Sequence, residues 1–170
     1  MVAAGIAVVH GPVSEHETRA RRCAVRRYGS CLTLGMIDDA RVLVADDDPL
    51  LLATVADALT HLGANVTSAA SGAELIERMA HEGPFDLVVT DISMPWMNGL
   101  QAMQAARTAG VGTSVIFMTA LADERIPAQV RALGENALLL RKPFDLSQLG
   151  AAASELLARK RTTAGSRTPP

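Results

Sequence analysis

A chain of 170 residues, 49% apolar and 20% charged, is long enough for one ordinary globular core, and 3% aromatic content leaves Leu, Val, Ile, Ala and Met to build it. No run of about 18 apolar residues occurs, which excludes an ordinary membrane-spanning helix. The formal charge of -2 conceals a division: residues 36–157 hold 16 carboxylates against 7 basic side chains, so the body is acidic and disfavours nucleic acid as its main partner, whereas both ends are basic.

Residues 1–35 follow no regular pattern. Met1 to Val9 is mildly apolar, Gly11-Pro12 interrupts it, and the arginines come afterwards, the reverse of a secretory signal. Met36 stands just before the first clear strand. Residues 1–39 are therefore expected to be a disordered or mis-annotated N-terminal extension, residues 40–160 the folded domain, and residues 161–170 a disordered tail rich in Thr, Gly, Ser and Pro. Cys23 and Cys31 match no zinc spacing and read as reduced thiols of a cytoplasmic protein.

From Arg41 the pattern becomes regular. Arg41–Ala45 is a short apolar run, as in a strand covered on both faces. Asp48 caps a helix that opens at Pro49, carries Leu51, Leu52, Val55, Leu59 and Leu62 at helical spacing, and stops at Gly63. Ala64–Ala69 predicts a weaker strand. Ser71 and Glu74 are spaced as a capping box for a helix to about Glu82. Asp86–Thr90 predicts a third strand, Gly99–Ala109 a helix, and Ser114–Met118 a fourth strand. The helix from about Asp123 to Leu133 has Pro127 early in it and is expected to be short or distorted. Ala137–Arg141 predicts the fifth strand, and Asp145 to Gln148 caps a last helix ending near Arg159. Alternation of five strands with five helices predicts a parallel sheet with helices on both faces.

Such sheets bind ligands beyond the carboxyl ends of their strands. Asp46, Asp47, Asp91, Thr119 and Lys142 all fall there. Crowded carboxylates repel one another unless a cation separates them, and oxygen ligands with room for water suit Mg2+. Asp47 and Asp91 are the candidate direct ligands. Asp46 supports them through water or by orienting its neighbours, and Asp48 caps its helix. Thr119 offers a hydroxyl to a phosphoryl oxygen and Lys142 a compact positive charge. Lys142-Pro143 is a candidate cis peptide.

Four blocks stand in order: Val44-Ala45-Asp46-Asp47-Asp48-Pro49, Asp91-Ile92-Ser93-Met94-Pro95-Trp96-Met97-Asn98-Gly99, Met118-Thr119-Ala120 and Lys142-Pro143-Phe144. With that spacing, roughly Arg41 to Lys160 resembles the response-regulator receiver domains of bacterial two-component signalling. The resemblance implies a flavodoxin-like (βα)5 fold: a doubly wound, five-stranded parallel α/β sheet in the order 2-1-3-4-5. It implies Asp91 as phosphoacceptor, served by a sensor histidine kinase or a histidine phosphotransfer protein. Asp46, Asp47, Asp91 and the backbone carbonyl of Ser93 would hold Mg2+, and Thr119 and Lys142 would bind the phosphoryl oxygens. The implied role is a stand-alone regulator in a phosphorelay, not an enzyme beyond its own Mg2+-dependent phosphorylation and slow autodephosphorylation. It would signal to a protein target through the face of the fourth helix, fifth strand and fifth helix, with no membrane and no direct DNA contact. Asp46-Asp47-Asp48 is also similar to the Asp-x-Asp of haloacid-dehalogenase-like phosphatases, but Leu50 stands where that family has Thr or Val.

Three positions depart from the receiver pattern. Leu139 replaces the usual aromatic residue three before the lysine. Gly134-Glu135-Asn136-Ala137 carries one residue more than the common pattern. Leu121, two after Thr119, offers no hydrogen bond to a hydrolytic water passing between it and Ser93. The first two, with Pro127, cluster around the fourth helix and fifth strand and predict a face specialised for a particular partner, whereas Leu121 predicts a slow intrinsic loss of phosphate.

Overall fold

Each apolar run becomes a strand because alternate residues find different covering layers. In a computed structural model, which describes residues 37–165, the strands are β1 (Arg41–Ala45), β2 (Asn65–Ala69), β3 (Leu87–Asp91), β4 (Ser114–Thr119) and β5 (Ala137–Arg141). They form one parallel sheet in the order β2-β1-β3-β4-β5. Helices α1 (Pro49–His61), α2 (Gly72–His81), α3 (Gly99–Thr108), α4 (Arg125–Ala132) and α5 (Leu146–Gly165) follow the strands in turn. This is the expected flavodoxin-like architecture. No helix among the described residues is long and apolar enough to cross a membrane.

The period of two within each strand divides the core into two layers. Val42, Val44, Leu87, Val89, Ile116 and Met118 meet Val55 and Leu59 of α1 and Leu149, Ala153 and Leu156 of α5. Leu43, Ala45, Val88, Val115 and Phe117 meet Leu75 of α2, Leu100 and Met103 of α3, and Ile126 and Val130 of α4. β3 and β4 are buried throughout, whereas the edge strands β2 and β5 are largely half-exposed.

Local chemistry accounts for the helix starts. The Asp48 carboxylate accepts from the amides of Leu50 at 2.9 Å and Leu51 at 3.3 Å, and Pro49 occupies the first helical position. At α2 the Ser71 hydroxyl accepts from the Glu74 amide, but Glu74 reaches back to the amide of Ala70, one residue before the reciprocal position. At α3, Asn98 and Gln101 complete a capping box that sequence reading passed over. α4 has no side-chain cap and runs only 8 residues, the short element that Pro127 foretold.

Several boundaries move. Ile37, expected in the disordered leader, is 1% exposed and packs in the layer of α1 and α5, with its amide on the Leu62 carbonyl at 3.3 Å. The fold therefore takes in Ile37, Asp38 and Asp39, while the rest of the leader, with Cys23 and Cys31, lies outside the described residues. Strand β3 starts at Leu87, and just before it the Asp86 carboxylate accepts from the Arg41 amide at 2.9 Å and from Lys160 Nζ at 2.8 Å. Burial works against the Asp86 carboxylate, but these bonds outweigh it and hold its pKa below the usual value. Lys160 thereby fastens α5 to Asp86, the residue just before β3. Having been anchored there, α5 continues to Gly165 instead of stopping near Arg159, because each further residue costs an established helix only a few tenths of a kcal/mol. The remainder of the expected tail, residues 166–170, lies outside the described residues.

Candidate functional site

The division into two layers also arranges the strand ends. Counting in twos along β1, β3 and β5 carries Val42 and Val44 to Asp46, Leu87 and Val89 to Asp91, and Leu138 and Leu140 to Lys142, all on the side of α1 and α5. The same count in β4 carries Val115 and Phe117 to Thr119, on the other side. Asp46, Asp91 and Lys142 therefore meet. Lys142 Nζ lies 2.6 Å from Asp91 Oδ1 and 3.0 Å from Asp46 Oδ2. Thr119 points its hydroxyl oxygen at the Leu121 amide, which donates to it at 3.0 Å.

Both acids are almost wholly enclosed, Asp46 at 1% exposure and Asp91 at 3%. Their second oxygens are held by backbone: Asp46 Oδ1 accepts from the Asp48 amide at 2.9 Å, and Asp91 Oδ2 accepts a short hydrogen bond from the Ser93 amide. Burial pushes the Asp46 pKa up, and the charge of Asp91 adds to this; the Asp48 amide and Lys142 oppose it without cancelling it. Burial also works against the Lys142 ammonium, but the hydrogen bonds and charges of Asp91 and Asp46 prevail and raise its pKa. Two carboxylates against one ammonium leave net negative charge in a nearly closed place.

Backbone close to backbone sets the loop around Asp91. The first residue of α3 is Gly99, and a Cβ there would lie 2.2 Å from the Asp91 carbonyl oxygen and 2.5 Å from Thr90 Oγ1. A Cβ on Gly72, the first residue of α2, would lie 2.0 Å from the Met97 carbonyl oxygen. The β3–α3 loop is thus clamped from two sides. Gly99→Ala is expected to cost about 1–3 kcal/mol of stability through overpacking. Urea denaturation checks this, and an unchanged midpoint would show that the loop yields freely.

The structure brings together the side chains of Asp46, Asp91 and Lys142 of the expected set, while Thr119, at the end of the neighbouring β4, meets them only through its carbonyl, which accepts from the Lys142 amide at 2.8 Å. Asp47 is exposed at the mouth, and the Ser93 side chain is exposed as well. Among the described residues, no three His, Cys, Asp or Glu side chains are gathered as a ready-made metal nest. Mg2+ does not require one, because it keeps several waters and takes one or two carboxylates. Asp46 and Asp91 already turn one oxygen each toward a single cation, the Lys142 ammonium, in a site of net negative charge, with Asp47 adjacent. This donor set fits a hydrated Mg2+.

Leu139, at the position of the aromatic switch, is half-buried and packs into the layer of α2, α3 and α4, beside Phe117 in the pairing register. It serves there as core. Sequence reading missed Gly72, whose neighbour Met97 is distant along the chain, and it missed the conformation of Trp96. That residue has a φ of +67°, and the Met97 amide donates to the Pro95 carbonyl across it at 2.7 Å. Its side chain is fully exposed, at 105%.

The family model for the response regulator receiver domain matches residues 42–154. A probable chemotaxis protein CheY of Rhizobium etli is 34% identical over 122 residues, covering 70% of this chain and 93% of that protein. The transcriptional regulatory protein CrdR of Helicobacter pylori is 37% identical over 112 residues, 65% of this chain, which spans only 52% of that regulator's length. Among solved structures, a response regulator receiver protein of Sinorhizobium medicae superposes with a TM-score of 0.64 at 30% identity, covering 72% of this chain and 97% of that one. The family match runs from Val42 in β1 through all five strands and into α5, and this chain belongs to the response regulator receiver domain family of two-component systems.

Proposed function

We propose that this receiver takes a phosphoryl group from a phosphohistidine onto Asp91 and reports it through altered contacts with other proteins, without touching DNA directly. The observation that carries this reading is the state of Asp91, an enclosed carboxylate at the end of a central strand, bonded to Lys142 at 2.6 Å. A carboxylate oxygen of Asp91 attacks the phosphorus, and a new P–O bond forms as the P–N bond to the donor histidine breaks. The electron pair of the broken bond leaves on the imidazole nitrogen, and the product is an aspartyl phosphate. Mg2+, when held by Asp46, Asp47, Asp91 and the Ser93 carbonyl, supplies positive charge to the transferring group. Lys142 neutralises the acceptor before transfer and can pass to a phosphoryl oxygen afterwards. Thr119 Oγ1 already accepts from the Leu121 amide, so its own proton is free to go to a phosphoryl oxygen. That contact ties the β4–α4 loop to the state of Asp91, a local change that biases a two-state element.

The test is to mix the protein with autophosphorylated histidine kinases and Mg2+. The expected product carries a hydroxylamine-labile phosphate, and borohydride reduction with mass spectrometry locates it at Asp91. Label elsewhere, or label that EDTA leaves untouched, would overturn the reading.

Leu121 is 48% exposed and presents no polar group to a water approaching the phosphate. Leu121→Ser adds one hydrogen bond, worth about 1 kcal/mol. Dephosphorylation is expected to quicken about fivefold. The decay of purified phosphoprotein measures this, and equal half-lives would remove Leu121 from the account.

A further inference from the structure

Among the described residues five large apolar side chains are exposed, and four of them, Leu50, Trp96, Leu121 and Leu146, lie just beyond the carboxyl ends of β1, β3, β4 and β5. All four therefore fall at the edge of the sheet where Asp91 lies, although Leu146 turns into a groove with Thr54, Asp57 and Ala58 of α1, which leaves Leu50, Trp96 and Leu121 on the loops of β1, β3 and β4. Trp96 stands out furthest, and its conformation is costly: a three-residue turn with positive φ at its centre is strained for any residue with a Cβ. No packing offsets this strain, because the indole is fully exposed. The loop that holds it is clamped against Gly72 and Gly99, so the indole is presented on a rigid base.

Granted that Asp91 is the acceptor, we propose that Trp96 is the anchor by which a phosphohistidine-bearing donor protein docks, with Leu50 and Leu121 beside it. Asp91 is 3% exposed, so a donor histidine has to reach it between the strand-end loops, and the protein around that histidine has to cover them. The loops at this edge carry the exposed acids Asp47, Asp48, Glu124 and Asp145 against exposed Arg125 and Arg141, a net acidic balance. The complementary donor surface is therefore apolar, with basic residues flanking its histidine. Trp is the side chain that most often dominates such contacts. A small-molecule donor needs none of this and should not sense Trp96.

The experiment compares two donors for wild type, Trp96→Ala, Trp96→Gly and Trp96→Phe. One is phosphoramidate. The other is whichever autophosphorylated histidine kinase of the source organism labels the wild type fastest. The expected result is a rise of about tenfold or more in KM for the kinase with Ala and Gly, little change in kcat, partial rescue by Phe, and equal labelling of all four by phosphoramidate. Gly accepts positive φ freely, so Trp96→Gly should melt no lower than wild type. As the chain has a single tryptophan, 5-fluorotryptophan at position 96 gives one 19F resonance, which should shift when unphosphorylated kinase is added. Transfer from the kinase unaffected by Trp96→Ala, equal slowing with both donors, or labelling by phosphoramidate but by no kinase would each overturn the proposal. Failure of phosphoramidate to label wild-type Asp91 would instead overturn the acceptor reading, and the anchor with it.

Discussion

Asp91→Asn is expected to abolish phosphoryl transfer, a loss of more than about a thousandfold on the scale of removing a nucleophile. The amide oxygen is a poor nucleophile, while the shape of the side chain is kept. The fold should survive. An amide oxygen can still accept from Lys142 or from the Ser93 amide, and Asp46 continues to bind the ammonium at 3.0 Å. Thermal melting beside phosphohistidine labelling checks both halves. A folded variant that labels at the wild-type rate would move the acceptor elsewhere.

Lys142→Ala is expected to lower stability by about 2–3 kcal/mol at neutral pH, below the usual cost of orphaning a buried ion pair because the lysine side chain is 21% exposed. Its loss leaves Asp46 and Asp91 facing each other without a cation. The sign with pH follows from Asp46, whose pKa is already raised above its ordinary 3.8 by burial. Without Lys142 it rises further. A carboxyl with a raised pKa in the folded state stabilises that state while protonated and loses this as pH climbs through the raised value. The deficit of the variant should therefore be small near pH 4 and full by neutrality. In the wild type the Lys142 pKa is raised above 10.5, so its own contribution is present below that value and fades as pH climbs beyond it. Urea titrations across pH test both statements. A deficit equal at pH 4 and pH 7 would mean that the lysine acts by packing alone. Mg2+ should restore part of the loss at neutral pH, since it supplies the missing charge.

Much of this molecule is written in local order. The runs Arg41–Ala45 and Ser114–Met118 are apolar without alternation because both faces of a parallel strand are covered, and the structure shows them in two layers. Asp48 caps α1 because the cap bonds only the next two or three amides, a matter of adjacent residues. The polar groups at strand ends were legible because a run of that kind makes any interruption conspicuous. The capping of α2 was legible only in part: Glu74 and Ser71 are correctly spaced, yet the carboxylate chose the Ala70 amide, a choice of rotamer that spacing does not decide. Ile37 was misplaced because its partner, the end of α1, is some 25 residues away along the chain.

The sequence by itself determined the alternation of strand and helix, the set of acids and the lysine at the strand ends, and the family whose chemistry they share. Periodicity and capping act within a few residues, and those residues are printed in order. The tertiary structure decided which of the acids face the lysine, because meeting depends on the pairing of β1, β3 and β5 through strands that lie far apart in the chain. It decided that Asp47 is left at the mouth, that Leu139 is core, and that Lys160 ties α5 down on Asp86. It also decided that Trp96 stands in solvent on the loop that follows Asp91, because that loop is held by Gly72 and Gly99, and only contacts between distant backbones impose that.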